Sequence, residues 1–330
     1  MSIFTSLQKF TSSGPITLGS LRSSFKSTNS GITSLSEYYK GGLYVANTSY
    51  NSTIPSSGSI SFSNLYNAAI SITATITSVE QNLDVKNSVF SSTWTDNLAK
   101  KLILDGYVIS QNSTAAMTVP SGCGSSLEIN LSSGGIYGMG GASSGGIGYD
   151  ALVTYSNIKI TGTNGAIAGG GGAGGTGGTG GTGGNQAGYY WQKCDNQWFC
   201  FGSQSGCYDV TGGDGGGTGG AGGVGQRYVW NGTTLTLYGP NGGSGGSTNG
   251  NGGVGGTGGT GGIWGTIGNT GDTGGTGGTG SNHGQCGGAT AGSGGSAGSP
   301  GGSGGKSIVG YNRVVSISSA SILLGSTSNN

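Results

Sequence analysis

Apolar residues alternate with Ser and Thr in several short stretches of this chain. Residues 70–77 read Ile-Ser-Ile-Thr-Ala-Thr-Ile-Thr, which is typical of a strand with one buried face. Further strands are predicted at 116–119, 127–131, 153–155 and 157–160. Residues 92–106 begin with Ser and Thr, carry an early Asp and two late Lys residues, and end at Gly, so this order predicts a helix. We therefore expect residues 69–168 to form a small β-rich domain with one helix.

The first 68 residues contain a repeated pattern. The segment Ser-Gly-Pro-Ile-Thr-Leu at 13–18 recurs as Ser-Gly-Ser-Ile-Ser-Phe at 57–62, and a looser copy covers 32–39. Each copy predicts a short extended piece that runs into one helical turn capped by Ser or Gly. Because apolar residues are sparse here, we expect residues 1–68 to be a module that docks on a partner protein. A small self-contained cap is the alternative.

Most of the 80 glycines lie between residues 169 and 305, where Gly-Gly-Thr triplets repeat in phase. Such triplets disfavour an α-helix by about 1 kcal/mol per glycine and leave a strand little to pack. Polyproline II has three residues per turn, so the side chains of each triplet would project along one edge and leave two bare edges for close packing. Collagen is disfavoured, since it needs one glycine in three and much Pro, and this chain has 5 Pro. A flexible linker is the alternative, but a linker has no need to keep the triplet phase.

The predicted fold is therefore mostly β and irregular, with a glycine-rich bundle attached to the β-rich domain. Residues 169–306 are expected to form a polyglycine-II helix bundle with loop insertions. Residues 307–330 alternate again and are expected to be C-terminal strands that return to the β-rich domain. Residues 226–238 place Asn-Gly between two alternating segments, which predicts a hairpin.

Aromatic residues cluster in the insertions of the glycine-rich region, above all between residues 185 and 210. Polyglycine helices cannot bury so many rings, and exposed aromatic clusters are typical of binding surfaces. The alternative is a small core that caps the helix ends. The candidate binding residues are Tyr189, Tyr190, Trp191, Trp198, Phe199, Phe201, Tyr208 and, from another short insertion, Trp264.

The same insertion holds three of the five cysteines, and a disulfide among Cys194, Cys200 and Cys207 is expected, with its connectivity open. Their spacing does not match the usual zinc-ligand pairs, and His283 and Cys286 are far away, so no metal site is predicted. The chain has a single His, no nucleophile elbow and no acidic pair placed for hydrolysis. We predict no catalytic residue, no enzyme activity and no cofactor.

Charged residues make up 7% of the chain and the net charge is +1, so a nucleic-acid partner is not expected. The first residues include no apolar signal sequence, and no apolar stretch is long enough to span a membrane. The protein is therefore expected to be made in a cytoplasm. It would work outside the cell only after lysis or assembly.

The passage at 158–172, Ile-Lys-Ile-Thr-Gly-Thr-Asn-Gly-Ala-Ile-Ala followed by four glycines, resembles the entry into polyglycine in tail-fibre tip adhesins of tailed bacteriophages. The exit at 304–311 is similar to theirs, and residues 21–25, 32–39 and 57–62 resemble modules in structural proteins of aquatic phages. The resemblance implies a virion protein, at the tail-fibre tip, that is synthesised in the host cytoplasm. It further implies that the loops bind a host surface receptor, protein or glycan. A structural spacer of the virion and, less favoured, an ice-binding bundle are the alternatives.

Overall fold

The computed structural model describes residues 3–25, 34–42, 44–142, 145–162, 164–181, 186–191, 205–210, 221, 223–246, 254, 256–273, 275, 293–317 and 322–330. Within these ranges the protein is mostly β. In chain order the strands are β1 (Ile3–Lys9), β2 (Ala69–Ile76), β3 (Glu80–Gln81), β4 (Leu83–Asp84), β5 (Ala99–Leu104), β6 (Tyr107–Ile109), β7 (Met117–Val119), β8 (Leu127–Leu131), β9 (Gly135–Tyr137), β10 (Leu152–Thr154), β11 (Ile158–Gly162), β12 (Ala166–Ala168), β13 (Gln186–Trp191), β14 (Ser205–Val210), β15 (Arg227–Trp230), β16 (Leu235–Tyr238), β17 (Ile308–Val309), β18 (Val314–Ile317), β19 (Ile322–Leu324) and β20 (Thr327–Ser328). The α-helices are α1 (Leu18–Phe25) and α2 (Val85–Ser88), and the 3-10 helices are Leu35–Tyr38, Ser49–Asn51, Phe62–Leu65, Ser91–Thr93 and Tyr311–Arg313.

Three sheets form a β-solenoid-like body in which the chain visits each sheet once per turn. The first sheet has the order β1-β2-β5-β8-β11-β18, the second β3-β6-β9-β12-β19 and the third β4-β7-β10-β17-β20. Successive turns therefore run β2-β3-β4, β5-β6-β7, β8-β9-β10, β11-β12-β17 and β18-β19-β20. Neighbouring strands in these sheets are parallel, except that β1 pairs antiparallel with β2.

The interior of this body consists of apolar side chains stacked in register from turn to turn. In the first sheet Ala74, Leu102, Ile129 and Ile160 occupy equivalent positions in neighbouring strands, and all four are fully buried. The alternation of side chains along a strand sends the intervening polar residues to the outer face. The strands expected from alternation at 70–77, 116–119, 127–131, 153–155 and 157–160 are confirmed to within two residues.

The helix predicted over residues 92–106 is wrong. A 3-10 turn occupies Ser91–Thr93, and Ala99–Leu104 is β5, in which Lys100, Leu102 and Leu104 are buried alternately. The two lysines that suggested a helix C-terminus lie on opposite faces of this strand. Lys100 is 2% exposed, and its Nζ donates to the carbonyl oxygens of Asp96 (2.9 Å) and Leu98 (3.0 Å). Lys101 forms an ion pair with Glu128 on β8 at 3.2 Å. Burial against the neighbouring turns therefore outweighs the local helix signals.

The repeated pattern near the N-terminus builds a second, smaller core. Its copies place Leu21, Tyr38 and Leu65, all fully buried, in three helical turns that share one cluster. Gly14 and Gly58 occupy equivalent positions in two copies and have positive φ of 89° and 85°. The hydroxyl of Tyr66 donates to the carbonyl of Gly14, and that of Tyr39 donates to the carbonyl of Gly58. The copies are thus bonded to one another as well as packed together.

The glycine-rich region leaves the solenoid between the second and third sheets. Residues 138–151 connect β9 to β10, and residues 169–307 connect β12 to β17, so both interruptions fall at the same corner in consecutive turns. The strands after the long connection complete the body, because β17, β18 and β19 pair in parallel with β10, β11 and β12.

Residues 169–181, here called the central run, have backbone hydrogen bonds that repeat every three residues. Its amides donate to one neighbouring segment at 2.8–2.9 Å; the pairs are Gly172–Thr266, Gly175–Asn269 and Gly178–Asp272. Carbonyls of the same three glycines accept from another segment at 2.7–2.8 Å; the donors are Gly262, Gly259 and Gly256. The remaining residues of the triplets bond in the same manner to 138–149, 223–226 and 293–305. The central run is therefore enclosed by other glycine-rich segments.

Candidate functional site

Hydrogen bonds to the central run fix the direction of every neighbouring segment. Because the central run follows β12 directly, Gly169 marks its strand-side end and Gly181 its far end. The amide of Gly265 donates to the carbonyl of Gly169, and the amide of Gly181 donates to the carbonyl of Gly275, both at 2.8 Å. Residues 265–275 therefore run outward from the strands, whereas 223–226, 256–262 and 293–305 run back towards them. Residues 239–246 also run outward, because Asn241 and Ser244 donate to Val224 and Ala221 in an antiparallel order.

This alternation divides the connections between two ends. The strand-side end holds the β15–β16 hairpin and the loop at 263–266. The described residues that flank the remaining three connections are Gly181 with Gly223, Gly246 with Val254, and Gly275 with Ser293. Gly275 bonds to Gly181 and to Val254 at the far end, whereas Gly223 bonds to Gly174, midway along the central run. The connection that carries the aromatic insertion therefore starts after Gly181, at the far end of the central run.

Glycine is required in the central run because neighbouring backbones approach it on every side. A Cβ added at Gly172, Gly175 or Gly178 would lie 1.8 Å from a carbonyl oxygen of the 293–305 segment. These glycines are buried and have no side chain to contribute, so close backbone contact and hydrogen bonding take the place of an apolar core. The packed glycine-rich segments can therefore hold their connecting loops away from the solenoid.

The far-end insertion contains two paired strands. β13 and β14 are antiparallel, with Tyr189 opposite Cys207 and Trp191 opposite Ser205. Five predicted binding or disulfide residues lie outside the described residues; they are Trp198, Phe199, Phe201, Cys194 and Cys200. The pairing brings the two ends of the insertion together, so the sequence between Trp191 and Ser205 starts and finishes at one place.

Trp264 lies at the other end of the region. Its ring centroid is 5.3 Å from that of Tyr137 and 5.6 Å from that of Tyr228, and Tyr228 in turn contacts Tyr107 at 5.7 Å. Burial raises the pKa of Tyr137 to about 12, with smaller contributions from Tyr228 and Tyr107. Trp264 therefore lies at the strand-side end, because this aromatic cluster holds its loop and the hairpin against the second sheet.

Threonine side chains along the segments bond to their neighbours. The hydroxyl oxygens of Thr176 and Ser299 are 2.8 Å apart, and those of Thr179 and Ser296 are 2.9 Å apart. The Thr257 hydroxyl donates to the Asp272 carboxylate. These polar contacts follow the triplet phase and fix the segments relative to one another along their length.

The described part of the chain shows no group of three His, Cys, Asp or Glu residues that could hold a metal ion. No helix in the described part is long and apolar enough to cross a membrane. Cys123, on the solenoid, is a free cysteine of intermediate exposure.

The family model described as "Phage tail fibre adhesin Gp38" matches residues 71–240, which is more than half of the 330 residues. The chain belongs to this adhesin family. Among solved structures, a similar chain is found in the gp37-gp38 adhesin tip complex of the bacteriophage S16 long tail fiber, at 16% identity and a TM-score of 0.33, over 76% of this chain and 82% of that chain. No curated protein matches the chain.

The family match starts in β2 of this adhesin and ends just after β16, so it covers most of the solenoid and the first part of the glycine-rich region. Residues 1–70, with their second core, lie outside it. The sequence reasoning missed the aromatic cluster around Tyr137. Its members come from β6, β9, β15 and the loop at 263–266, and no local pattern links residues so far apart.

Proposed function

We propose that this tail fibre adhesin binds a host cell-surface receptor through the far end of its glycine-rich region. The arrangement of the segments supports this, because three connections are carried away from the solenoid and one of them is the aromatic insertion at 185–210. Aromatic side chains provide large contact areas at low entropic cost without any charge. That suits a protein with 7% charged residues. The proposed contact residues are Tyr189, Tyr190, Trp191, Trp198, Phe199, Phe201 and Tyr208.

We also propose that the glycine-rich segments are polyglycine-II helices packed as a bundle. The three-residue repeat of hydrogen bonds supports this interpretation, since it matches a helix with three residues per turn. Each turn then directs its three amides to three different neighbours. In this account the bundle is a non-enzymatic support, and its rigidity holds the receptor-binding loops in a fixed position.

Residues 1–68 are proposed to attach the adhesin to another fibre or tail protein. Most of their buried side chains form a second core, while β1 pairs with β2 and Leu7 and Ala46 pack in the solenoid core, and they lie outside the family match. Such an added module suits a virion-specific attachment role at the fibre tip. The alternative is that the whole chain is a spacer or decoration protein that touches no receptor.

Whole-cell adsorption of purified protein separates these two functions. Trp191→Ala and Trp198→Ala should each weaken adsorption at least thirtyfold, since truncation of a central aromatic anchor costs about 2 kcal/mol or more. Tyr238→Ala is the matched control, because Tyr238 is 46% exposed on the hairpin at the strand-side end. Thermal melts should be nearly unchanged in all three variants. Full adsorption by both Trp variants, or a melt that collapses with adsorption, would show that these rings are a structural cap.

A further inference from the structure

The β15–β16 hairpin lies across the outer face of the second sheet. Tyr228 contacts Tyr137 on β9 at 4.7 Å and Tyr107 on β6 at 5.7 Å, and this clamps the hairpin onto two successive turns. The Oδ1 atom of Asn231 accepts from the amides of Thr233 (2.9 Å) and Thr234 (2.8 Å), which closes the turn. Trp230 is two residues after Tyr228 and so lies on the same face of its strand. A rigid hairpin therefore presents Trp230 towards the first turns of the solenoid.

Two adjoining cavities lie between this hairpin and the solenoid. The larger, about 670 Å³, is open and lined mainly by polar groups; its residues include Glu80, Gln81, Gln111, Trp230 and Asn231. The smaller, about 240 Å³, is mainly apolar and is lined by residues that include Ile109, Met139 and Val229. Gln111 and Trp230 line both cavities, so the two adjoin at these residues and are together called the groove.

The groove combines an aromatic ring with neutral side chains that both donate and accept hydrogen bonds. The amides of Gln81 and Gln111 each offer a carbonyl oxygen and an NH₂ group, and Asn231 offers its NH₂ group, since its Oδ1 closes the turn. Trp230 is partly exposed and offers an apolar ring face beside them. Pyranose sugars present the complementary surface, with one face of C–H groups and a rim of hydroxyls that donate and accept. Charge is balanced, since the lining includes one acid, Glu80, and one base, Arg227.

We propose that this groove is a saccharide-binding site, with Trp230 under a pyranose ring and Gln111 hydrogen-bonded to its hydroxyls. It lies at the strand-side end of the glycine-rich region and is separate from the far-end insertion. Its ligand would be a neutral hexose unit of a surface polysaccharide. Weak binding here would hold the adhesin near a glycan-covered surface independently of the receptor contact.

The test uses the full chain and saturation-transfer NMR with four probes: methyl β-D-glucopyranoside, methyl β-D-galactopyranoside, methyl α-D-mannopyranoside and N-acetyl-D-glucosamine. At least one should receive saturation and bind with a Kd in the millimolar range. Trp230→Ala and Gln111→Ala should each weaken that binding at least tenfold, while Trp230→Phe should largely retain it. Leu237→Ala is the control on the neighbouring strand, since Leu237 is 46% exposed and outside the groove lining.

Two results would overturn the proposal. The first is that none of the four probes receives saturation. The second is that a probe binds, but Gln111→Ala, an exposed substitution, leaves its affinity within twofold of the unchanged chain. Trp191→Ala should leave probe binding unchanged. The experiment therefore distinguishes a loss of receptor binding at the aromatic insertion from a loss of saccharide binding in the groove.

Discussion

One methyl group placed at Gly175 tests how tightly the central run is packed. A Cβ at this position would lie 1.8 Å from the carbonyl oxygen of Ser299, and real Cβ atoms essentially never come closer than 3.0 Å to another heavy atom. Because the contacted atom belongs to a backbone, the two segments would have to separate by roughly 1.2 Å. That movement stretches the 2.8 Å hydrogen bonds that join these two segments beside Gly175, from the Ser299 amide to the Thr176 carbonyl and from the Gly302 amide to the Ala173 carbonyl.

The loss of folding stability in Gly175→Ala can be derived from these contacts. Overpacking costs about 1–3 kcal/mol, and two weakened hydrogen bonds add about 0.5–1.5 kcal/mol each, so Gly175→Ala should lose roughly 2–6 kcal/mol of stability. At about 2–4 °C per kcal/mol, its melting temperature should fall by roughly 4–24 °C in calorimetry. Gly294→Ala is the matched control in a neighbouring segment, because a Cβ there meets no atom within 4 Å. It should change stability by no more than about 0.5 kcal/mol.

The melting temperatures of Gly175→Ala and Gly294→Ala together test whether the central run is closely packed. A melt of Gly175→Ala that coincides with that of the unchanged chain would refute close packing around the central run. Equal losses in both variants would refute it as well, since they would show a general effect of replacing glycine and not a steric one.

Two further predictions follow. The amide of Asn67 donates to the carbonyl of Thr11 at 3.1 Å, so residues 12–66 can be replaced by a four-residue Gly-Ser linker while β1 stays paired with β2. This variant should be soluble and adsorb to cells yet be absent from assembled virions, and its incorporation would refute an attachment role. The raised pKa of Tyr137 means that its neutral form adds stability that is complete below pH 10 and lost towards pH 12. The urea midpoint of the unchanged chain should therefore fall between pH 10 and 12, and that of Tyr137→Phe should fall less. An equal fall in both chains would show that other groups cause the loss of stability.

Local periodicity predicted much of the strand content, because burial in a solenoid repeats the same alternation in every turn. The hairpin at 226–238 was likewise predicted from its Asn-Gly turn, and β15 and β16 confirm it. The helix at 92–106 failed for a physical reason. Capping signals act within a few residues, whereas Lys100 is buried because β2 and β8 lie on either side of its strand.

The site was predictable only in part. The triplet phase indicated that the glycine-rich segments pack together, but not that 169–181 would lie at their centre or which loops would share an end. That arrangement depends on hydrogen bonds between residues more than 100 positions apart, such as Gly302 to Ala173. Trp264 illustrates the difference, because its short insertion resembles the other loops in sequence yet lies against Tyr137 at the strand-side end.

Hydrogen exchange of the adhesin with and without membranes of a susceptible host measures directly where the receptor binds. Slowed exchange on binding should map to β13 and β14. That outcome is predicted if the glycine-rich segments carry the receptor-binding loops away from the solenoid. Protection confined to the solenoid or to residues 1–68, with β13 and β14 unaffected, would contradict the proposed function.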